Sequence, residues 1–588
     1  MIDYAAFERA IGLNWYEVDP NLRALMDRLL DPVDRDWVEE TLRRAGALCG
    51  GPIGERAETI DKHPPQLERY DRWGEESGRV VHHPATLAAK RDLWECGISG
   101  PRLRREASRR GRPFPPVLGA ACNYLLSQAD TGMLCAVGMT NGVVGLVERF
   151  APPATKQLLQ ARLAAERFED AWDGAMFMTE RTGGSDLATL TTTATLRDGV
   201  WRLTGFKWFC SNVDAAAIAT LARPEGGSAG IKGIALFVVP RRCADGTPNG
   251  VVIHRLKDKL GTRTVPTGEV DFVDAEAYLL AGDADGSATD GRGINRMMAM
   301  VNESRLGVAC MGLGLMRRAF LESAIYAARR EAFGRRLDDL PLVRETLVRM
   351  VVELEAAAAL VFAAGAAMDR QASAEWRSLV PLAKFRATRR GIDLASLAVE
   401  IHGGNGYIED WPTARLLREA QCHTVWEGTE NIICLDVLRA LRAEGVARGL
   451  LDHADRLARA TGDPLLDPVR ALVAGAARRA ERMLAEVAGM DRDGAQYWAR
   501  ALTGRLSDLT QAALLLEEAE WERARSGSAR KAIVAALFAA RHLAHDGEVA
   551  VAAEEQACRQ LFAPLVRYGE IAPAAAEAVT GAVASGVP

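Results

Sequence analysis

The chain has 588 residues, 48% of them hydrophobic and 26% charged, with a formal net charge of −5. This length exceeds what one hydrophobic core supports, so we expect several domains. The slightly negative charge excludes a globally basic surface for nucleic acid or anionic lipid. The ten cysteines show neither a C-x-x-C pair nor metal-ligand spacing, which predicts no metal site and free thiols in a reducing cytoplasm.

Residues 1–174 are predicted to form a mostly helical domain. Residues 34–44 place charges on one face and apolar side chains on the other, which is typical of an amphipathic helix. His82 and His83 open a further helix, but adjacent residues on a helix diverge by about 100° and suit a shared metal poorly. The basic residues 102–112 are predicted to be a surface loop.

Residues 175–285 are predicted to form a β-barrel-like domain. Runs at 191–196 and 200–206 are β-branched or alternate in polarity, and Asp198-Gly199 between them is a strong hairpin signal. Further short strands are predicted at residues 217–222, 233–239, 251–254 and 269–273.

Helical periodicity returns from residue 286. Residues 286–446 are predicted to form a helical bundle, because long apolar-periodic runs with short connections favour that fold. Its helices are predicted at residues 305–330, 342–368, 379–402 and 431–443. Residues 447–588 are predicted to be an appended helical domain, which makes the chain α+β overall. The longest apolar run, residues 356–368, is too short to span a bilayer.

A glycine-rich loop begins the predicted β-domain, at Met178-Thr-Glu-Arg-Thr-Gly-Gly-Ser-Asp186. Gly183 and Gly184 permit positive φ and close backbone approach, and the hydroxyls of Thr179 and Ser185 can donate hydrogen bonds to a flavin ring or a pyrophosphate. An ordinary β-turn is the alternative interpretation. The loop is not a G-x-G-x-x-G dinucleotide motif.

Two further motifs lie at the joints of the predicted domains. Trp208 and Phe209 beside Ser211 are suited to pack on a flavin, although a half-buried strand with core aromatics is equally consistent. Gly403 and Gly404 end a helix, where they serve either as a C-cap or as a close approach for a cofactor phosphate.

Glu427 lies in the stretch Thr424-Val-Trp-Glu-Gly-Thr-Glu-Asn431, directly before an apolar helical run with Thr429 as its predicted N-cap. A carboxylate placed beside an aromatic ring and a helix N-terminus is suited to proton transfer. A solvated loop glutamate is the alternative for this segment by itself.

Taken in this order, the motifs resemble the acyl-CoA dehydrogenase family, most closely its AidB-type, alkylation-response branch. The T-E-x-x-x-G-S-D element, the K-W-F-x-S form and G-G-N-G-Y are matched near Thr179, Trp208 and Gly403. The R-x-x-F-G motif is matched at residues 330–334, and the catalytic Y-E-G-T element is matched at Val425-Trp-Glu-Gly-Thr429.

The resemblance implies α,β-dehydrogenation of an acyl-CoA thioester with FAD, in which Glu427 removes the α-proton. It also implies a homotetramer and an electron acceptor such as an electron-transfer flavoprotein. The residues it implies for FAD are Met176, Met178, Thr179, Gly183, Gly184, Ser185, Trp208, Phe209, Ser211, Arg330, Phe333, Gly403, Gly404, Gly428, Thr429 and Asn431.

The chain departs from the family pattern at several positions. Ser304 occupies the place of a second carboxylate that some members use as the base, next to a matching Arg305. Two glutamines common near the flavin are replaced by Pro341 and Glu400, and Trp426 is bulkier than the usual Tyr. We therefore expect no second carboxylate to compete with Glu427 as the base. The family's glutamine contacts near the flavin pyrophosphate are missing, and we expect Trp426 to narrow the acyl tunnel.

Two other functions remain open at this stage. The AidB-type likeness is compatible with a DNA-binding flavoprotein of weak or vestigial activity, although acids and bases are balanced in residues 447–588. A scaffold that binds FAD only for stability is the third hypothesis.

Overall fold

The computed structural model describes residues 1–98, 102–280, 289–442, 446–460, 462–545 and 547–585. The described chain forms two compact units: a helical unit of Met1–Gly51, Pro115–Gln128 and Val308–Pro588, and a β-unit of Pro52–Phe114 and Ala129–Gly307. The division into four domains made from the sequence stays a prediction, and its boundary at 285/286 lies outside the described residues.

The α-helices are α1 Pro20–Leu29, α2 Arg35–Leu48, α3 Gly54–Lys62, α4 Pro84–Cys96, α5 Arg102–Arg109, α6 Pro116–Ala129, α7 Thr131–Phe150, α8 Pro153–Leu163, α9 Gly293–Arg329, α10 Pro341–Asp369, α11 Ser373–His402, α12 Pro412–His423, α13 Glu430–Leu441, α14 Val446–Arg459, α15 Asp467–Ala488, α16 Arg492–Ser526, α17 Arg530–Leu543, α18 Gly547–Gln556, α19 Phe562–Val566 and α20 Pro573–Ala584. The strands are β1 Gln66–Tyr70, β2 Glu76–Val81, β3 Gly174–Phe177, β4 Thr193–Arg197, β5 Val200–Ser211, β6 Ala217–Pro224, β7 Ala235–Pro240, β8 Val251–Leu256, β9 Thr267–Leu279, β10 Glu331–Ala332 and β11 Arg335–Arg336.

The β-unit is built on a closed sheet. Strands β6, β4, β5, β9 and β7 pair in that order, and β7 pairs back with β6, while β3 joins through β6 and β8 through β9. Closure removes free edges and gives the barrel-like core that the sequence predicts. Both faces of β6 and β7 are covered, because Leu221 and Val238 pack outside the ring with Val143 and Val147 of α7. Burial on both faces explains why the sequences of β6 and β7 are almost entirely apolar.

The hairpin predicted at Asp198-Gly199 is confirmed. Asp198 has φ +49° and Gly199 has φ +79°, and the two residues connect the antiparallel strands β4 and β5. Positive φ at both turn residues matches the right-handed twist of the flanking strands, which is why Asp-Gly is favoured there.

The prediction of a surface loop at residues 102–112 is wrong. Helix α5 occupies Arg102–Arg109 and buries Leu103 and Ala107, which lie four residues apart on one face. The many arginines of this segment suggested a surface loop. The two apolar residues on one face are enough to form a helix that packs on the protein. The predicted mostly helical domain also contains the antiparallel hairpin β1–β2.

Helix α7 is long and apolar enough to cross a membrane by length and composition, the one such helix found among the described residues. Within the structure, 78% of its most apolar window is buried. Its apolar side chains are therefore satisfied mainly by packing inside the β-unit, as in the core helix of a large domain.

Buried ion pairs join α17 to α10 within the helical unit. The carboxylate of Glu355 is fully buried and accepts hydrogen bonds from the Arg530 guanidinium at 2.6 and 3.2 Å, while Lys531 Nζ lies 2.7 Å from its second oxygen. Burial favours the neutral acid, but the charges of Arg530 and Lys531 outweigh it and lower the pKa of Glu355 from 4.5 to about 2.

We expect this carboxylate to make the protein acid-sensitive. Because its pKa is lower in the folded state, its stabilisation is complete above about pH 4.5 and is lost as the pH falls towards about 2, a loss of about 3 kcal/mol. Thermal unfolding followed across this range tests the expectation. Glu355→Gln should be less stable at neutral pH and should lose less stability on acidification; an unchanged pH dependence would contradict the assignment.

Candidate functional site

The structure distributes the predicted site residues over both units. The β-unit carries the members between Met176 and Ser211, and the helical unit carries those from Arg330 to Asn431. The assignment of these residues to a flavin or a thioester stays a prediction.

The glycine-rich loop follows β3 and is tied to β5, because the Trp208 N–H donates to the Thr179 carbonyl oxygen at 2.8 Å. The Gly183 N–H donates to the Glu180 carbonyl oxygen at 3.0 Å and closes a turn, with Gly183 at φ +117°. A Cβ on Gly184 would lie 2.5 Å from Thr179 Oγ1, so only glycine leaves that hydroxyl in place. The turn interpretation is thus correct locally, and it leaves backbone and hydroxyl groups available to a ligand.

A buried ion pair holds this loop, and the sequence analysis did not identify it. Lys207 is fully buried, and its Nζ lies 2.9 Å from Glu180 Oε1 and 2.9 Å from the Leu221 carbonyl oxygen. Thr191 and Thr192 donate both their N–H and hydroxyl groups to the same carboxylate. Burial would raise the pKa of Glu180, but Lys207 and the threonines lower it from 4.5 to about 2.

The aromatic pair on β5 lies at a β-bulge. The pairing of β5 with β9 changes register between Lys207 and Cys210, which turns Phe209 outward so that 54% of it is exposed. Lys257 Nζ lies 3.6 Å from the ring centroid of Trp208 and 4.8 Å from that of Phe209, a cation–π arrangement. Trp208 is half-buried, so the interpretation of the pair as core aromatics is wrong for Phe209.

The remaining predicted residues of the β-unit surround this strand. Ser211 Oγ lies 3.1 Å from Thr267 Oγ1, and Met176 and Met178 are half-buried against the apolar cluster that contains α7. An outward-facing ring, a hydroxyl and a loop with open backbone are together the donor set and apolar surface that a flavin requires. The residues present therefore fit FAD.

In the helical unit, Glu427 lies on the turn between α12 and α13. It is half-buried and has φ +55°, and Gly428 follows with φ +106°. The left-handed conformation costs a non-glycine residue roughly 1–2 kcal/mol, so the surroundings must hold it in place. Thr429 is the N-cap residue of α13, as predicted, but its side chain makes no capping hydrogen bond.

A second long-range contact that the sequence analysis missed fixes the start of α13. Arg500 on α16 donates to Glu430 at 2.8 Å and to the side-chain oxygen of Asn431 at 2.6 Å, and Arg389 donates to Glu430 at 2.7 Å. The side-chain oxygen of Asn431, predicted to contact FAD, is thus occupied within this unit. Its amide NH₂ group is what it can offer to a ligand.

Two glycine-containing turns carry the other predicted residues of the helical unit. Phe333, at φ +55°, is 93% exposed at the tip of the hairpin β10–β11, and the Leu337 N–H donates to the carbonyl oxygen of Arg330 at 2.8 Å. Gly403 ends α11 with φ +61°, which confirms the C-cap interpretation, and Gly404 follows it exposed.

The two neighbours of Ser304, the residue at the family's second base position, are held by other side chains. Glu303, one residue before Ser304, lies 2.9 Å from Arg149 in the β-unit, and Arg305 is buried and donates to Asn302 at 3.0 Å. The Glu303 carboxylate is thus engaged in an ion pair.

Comparison with known proteins identifies the parts of the chain. Residues 7–170 match the adaptive response protein AidB N-terminal domain, residues 175–275 the acyl-CoA dehydrogenase middle domain and residues 291–442 the acyl-CoA dehydrogenase C-terminal domain. These three matches follow one another in the order that the motifs predict.

Whole-chain relatives agree with these matches. The chain is 34% identical over 468 residues to the putative acyl-CoA dehydrogenase AidB of Escherichia coli K12, covering 77% of this chain and 83% of that protein. It is 29% identical to 3-methylmercaptopropionyl-CoA dehydrogenase of Ruegeria pomeroyi, covering 87% and 90%. The crystal structure of Caenorhabditis elegans ACDH-11 in complex with C11-CoA superposes with a TM-score of 0.82 at 26% identity, covering 93% of this chain and 94% of that one. The chain therefore belongs to the acyl-CoA dehydrogenase family, in its AidB-type branch.

Proposed function

We propose that this protein is an FAD-dependent dehydrogenase that introduces an α,β double bond into an acyl-CoA thioester. The observation that carries the proposal is Glu427: a half-buried carboxylate at the family's base position, fixed at positive φ on a turn between two helices. A solvated loop glutamate would need neither the strained backbone nor the partial burial.

Glu427 performs the proton step in this proposal. Its carboxylate accepts the proton from the carbon next to the thioester carbonyl, and its backbone N–H donates to that carbonyl as negative charge develops there. Bound substrate would exclude water from the half-buried carboxylate and make it a stronger base. Trp426, half-buried beside it, would limit the width of the acyl chain.

FAD, when bound, supplies the acceptor for the hydride that leaves the β-carbon. The loop around Thr179 and Gly184, with Phe209 and Ser211, would hold it through donors and an apolar face. The exposed Phe333 hairpin would serve the FAD of a neighbouring subunit, which makes a homotetramer the proposed assembly.

The relatives suggest the substrate class and the redox partner. One is named 3-methylmercaptopropionyl-CoA dehydrogenase and another was crystallised with C11-CoA, so we propose an acyl-CoA substrate. The proposed acceptor of the electrons is an electron-transfer flavoprotein, by family likeness. We also propose a cytoplasmic location, where the ten cysteines, all described and all free, would stay reduced.

The flavin spectrum of the purified protein tests this function. We expect bound FAD as isolated, and bleaching of its visible absorbance under anaerobic conditions by at least one thioester from a panel of straight, branched and sulfur-containing acyl chains. Protein that carries FAD but is bleached by none of them would contradict the proposal.

A group of arginines favours DNA binding as the second candidate function. Arg478, Arg482 and Arg505 are exposed on α15 and α16 and form no ion pair with a carboxylate among the described residues. Burial, and then the charges of these three residues, lower the pKa of Arg479. Exposed arginines without an ion-pair partner are suited to contact phosphates.

A gel-shift experiment with duplex DNA at several salt concentrations tests this alternative. If it holds, Arg478→Glu/Arg482→Glu should abolish a shift that weakens steeply with salt, because phosphate contacts release counterions. The charge-matched control Arg448→Glu/Arg559→Glu replaces exposed arginines that pair with Asp452 and Glu555, each four residues away. Equal loss in both variants, or no shift in the wild type, would exclude a specific DNA site here.

A further inference from the structure

A buried lysine spans the turn that carries Glu427. Lys384 lies on α11 and is fully buried, and its Nζ donates to the carbonyl oxygen of Thr424 at 3.3 Å and to that of Gly428 at 2.5 Å. Thr424 is the first residue after α12, and Gly428 directly follows Glu427. One ammonium group therefore joins the two ends of the turn.

The turn needs such a partner for its backbone. Two consecutive residues, Glu427 and Gly428, have positive φ, so the turn leaves the helical hydrogen-bond pattern between α12 and α13. Buried carbonyl groups outside regular structure require other donors, and a charged donor in a dry site is stronger than a neutral one. Lys384 meets this requirement at both ends of the turn.

The side of the turn next to Lys384 is buried. His423, the last residue of α12, is fully buried, and neither of its ring nitrogens has a hydrogen-bond partner within the part of the chain that the structure describes. Burial and the nearby charge of Lys384 lower its pKa to about 3, so the ring is neutral.

We infer that Lys384 is a positioning residue for the reaction: it fixes the turn from Thr424 to Gly428 and thereby the place of the Glu427 carboxylate. This inference rests on the proposed function for its catalytic consequence, whereas the fixing of the turn itself does not depend on catalysis. Lys384 touches neither substrate nor flavin in this account and acts through the backbone of the turn.

Two measurements on the FAD-containing protein test the inference. In Lys384→Met, we expect amide hydrogen exchange in residues 424–429 to become at least about tenfold faster, because the turn loses its donor. We expect the rate of flavin reduction by an acyl-CoA to fall by about 30- to 100-fold while the KM for the thioester changes less than about threefold, because a misplaced base slows chemistry more than binding.

The control is Arg386→Met, two residues along α11. Arg386 donates to the carbonyl oxygen of Gly504 at 3.0 Å and to Asp508, so its loss also removes a cation from α11 but leaves the turn intact. We expect unchanged exchange in residues 424–429 for this variant. Should Lys384→Met fail to fold, Lys384→Gln, which keeps one amide donor, replaces it with the same expected direction.

The possible outcomes are distinct. Faster exchange in the turn with slower reduction supports the inference. Unchanged exchange in the turn of the Lys384 variant overturns it, whatever the activity. A wild-type protein that no thioester reduces removes the proposed function, and the exchange measurement then still decides whether Lys384 holds the turn.

Discussion

Replacing Glu427 with Gln should slow the anaerobic reduction of bound FAD by an acyl-CoA about 10³-fold, because the amide cannot accept the α-proton and a positioned general base contributes 10²–10⁴-fold. Stopped-flow absorbance of the flavin measures this rate directly. FAD content and thermal stability should stay close to those of the wild type, since the substitution keeps the shape of the side chain.

A matched control separates the loss of the base from the loss of a charge. Glu409, in the same unit, has a side chain 56% exposed and pairs with Arg418 at 2.8 Å, so Glu409→Gln makes the same chemical change away from the turn. We expect this variant to reduce flavin at the wild-type rate. If Glu427→Gln reduced the flavin as fast as the wild type, Glu427 would not be the base of this reaction.

Lys207→Met should destabilise the protein by about 3–5 kcal/mol, because it leaves the carboxylate of Glu180 buried without its cation. The glycine-rich loop, which contains Glu180, should loosen as well, so we expect faster loss of FAD on dilution. Thermal unfolding and the fluorescence of released flavin measure the two effects.

The double variant Lys207→Met/Glu180→Gln tests the cause of this destabilisation. It removes the buried charge that the single variant leaves without a partner. Thr191 and Thr192 donate to different oxygens of the carboxylate, so one of the two can still donate to the amide oxygen. We therefore expect it to recover part of the stability lost in Lys207→Met. No recovery would show that the packing of the lysine stem, not its charge, supports the loop.

Local signals in the sequence predicted the elements that depend on neighbouring residues. The Asp198-Gly199 turn, the N-cap position of Thr429 and the C-cap at Gly403 follow from backbone requirements of a few residues, and the structure has all three. The strands of the β-unit were predictable because apolar, β-branched runs between glycine turns leave few other structures.

Long-range pairing was not predictable in this way. Lys207 with Glu180 and Arg500 with Asn431 join residues 27 and 69 positions apart, and a single sequence does not indicate which charged residue meets which. Helix α5 was missed for a related reason: two buried apolar residues outweigh a run of arginines only once a neighbouring surface is known.

The most direct test of the account compares thioesters deuterated at the α-carbon and at the β-carbon as reductants of bound FAD in the wild type. The account predicts that each deuteration slows the bleaching of the flavin, because both C–H bonds break, and that Glu427→Gln nearly abolishes bleaching with either. Bleaching that is indifferent to deuteration at the α-carbon and persists in Glu427→Gln would contradict the assignment of this glutamate as the base.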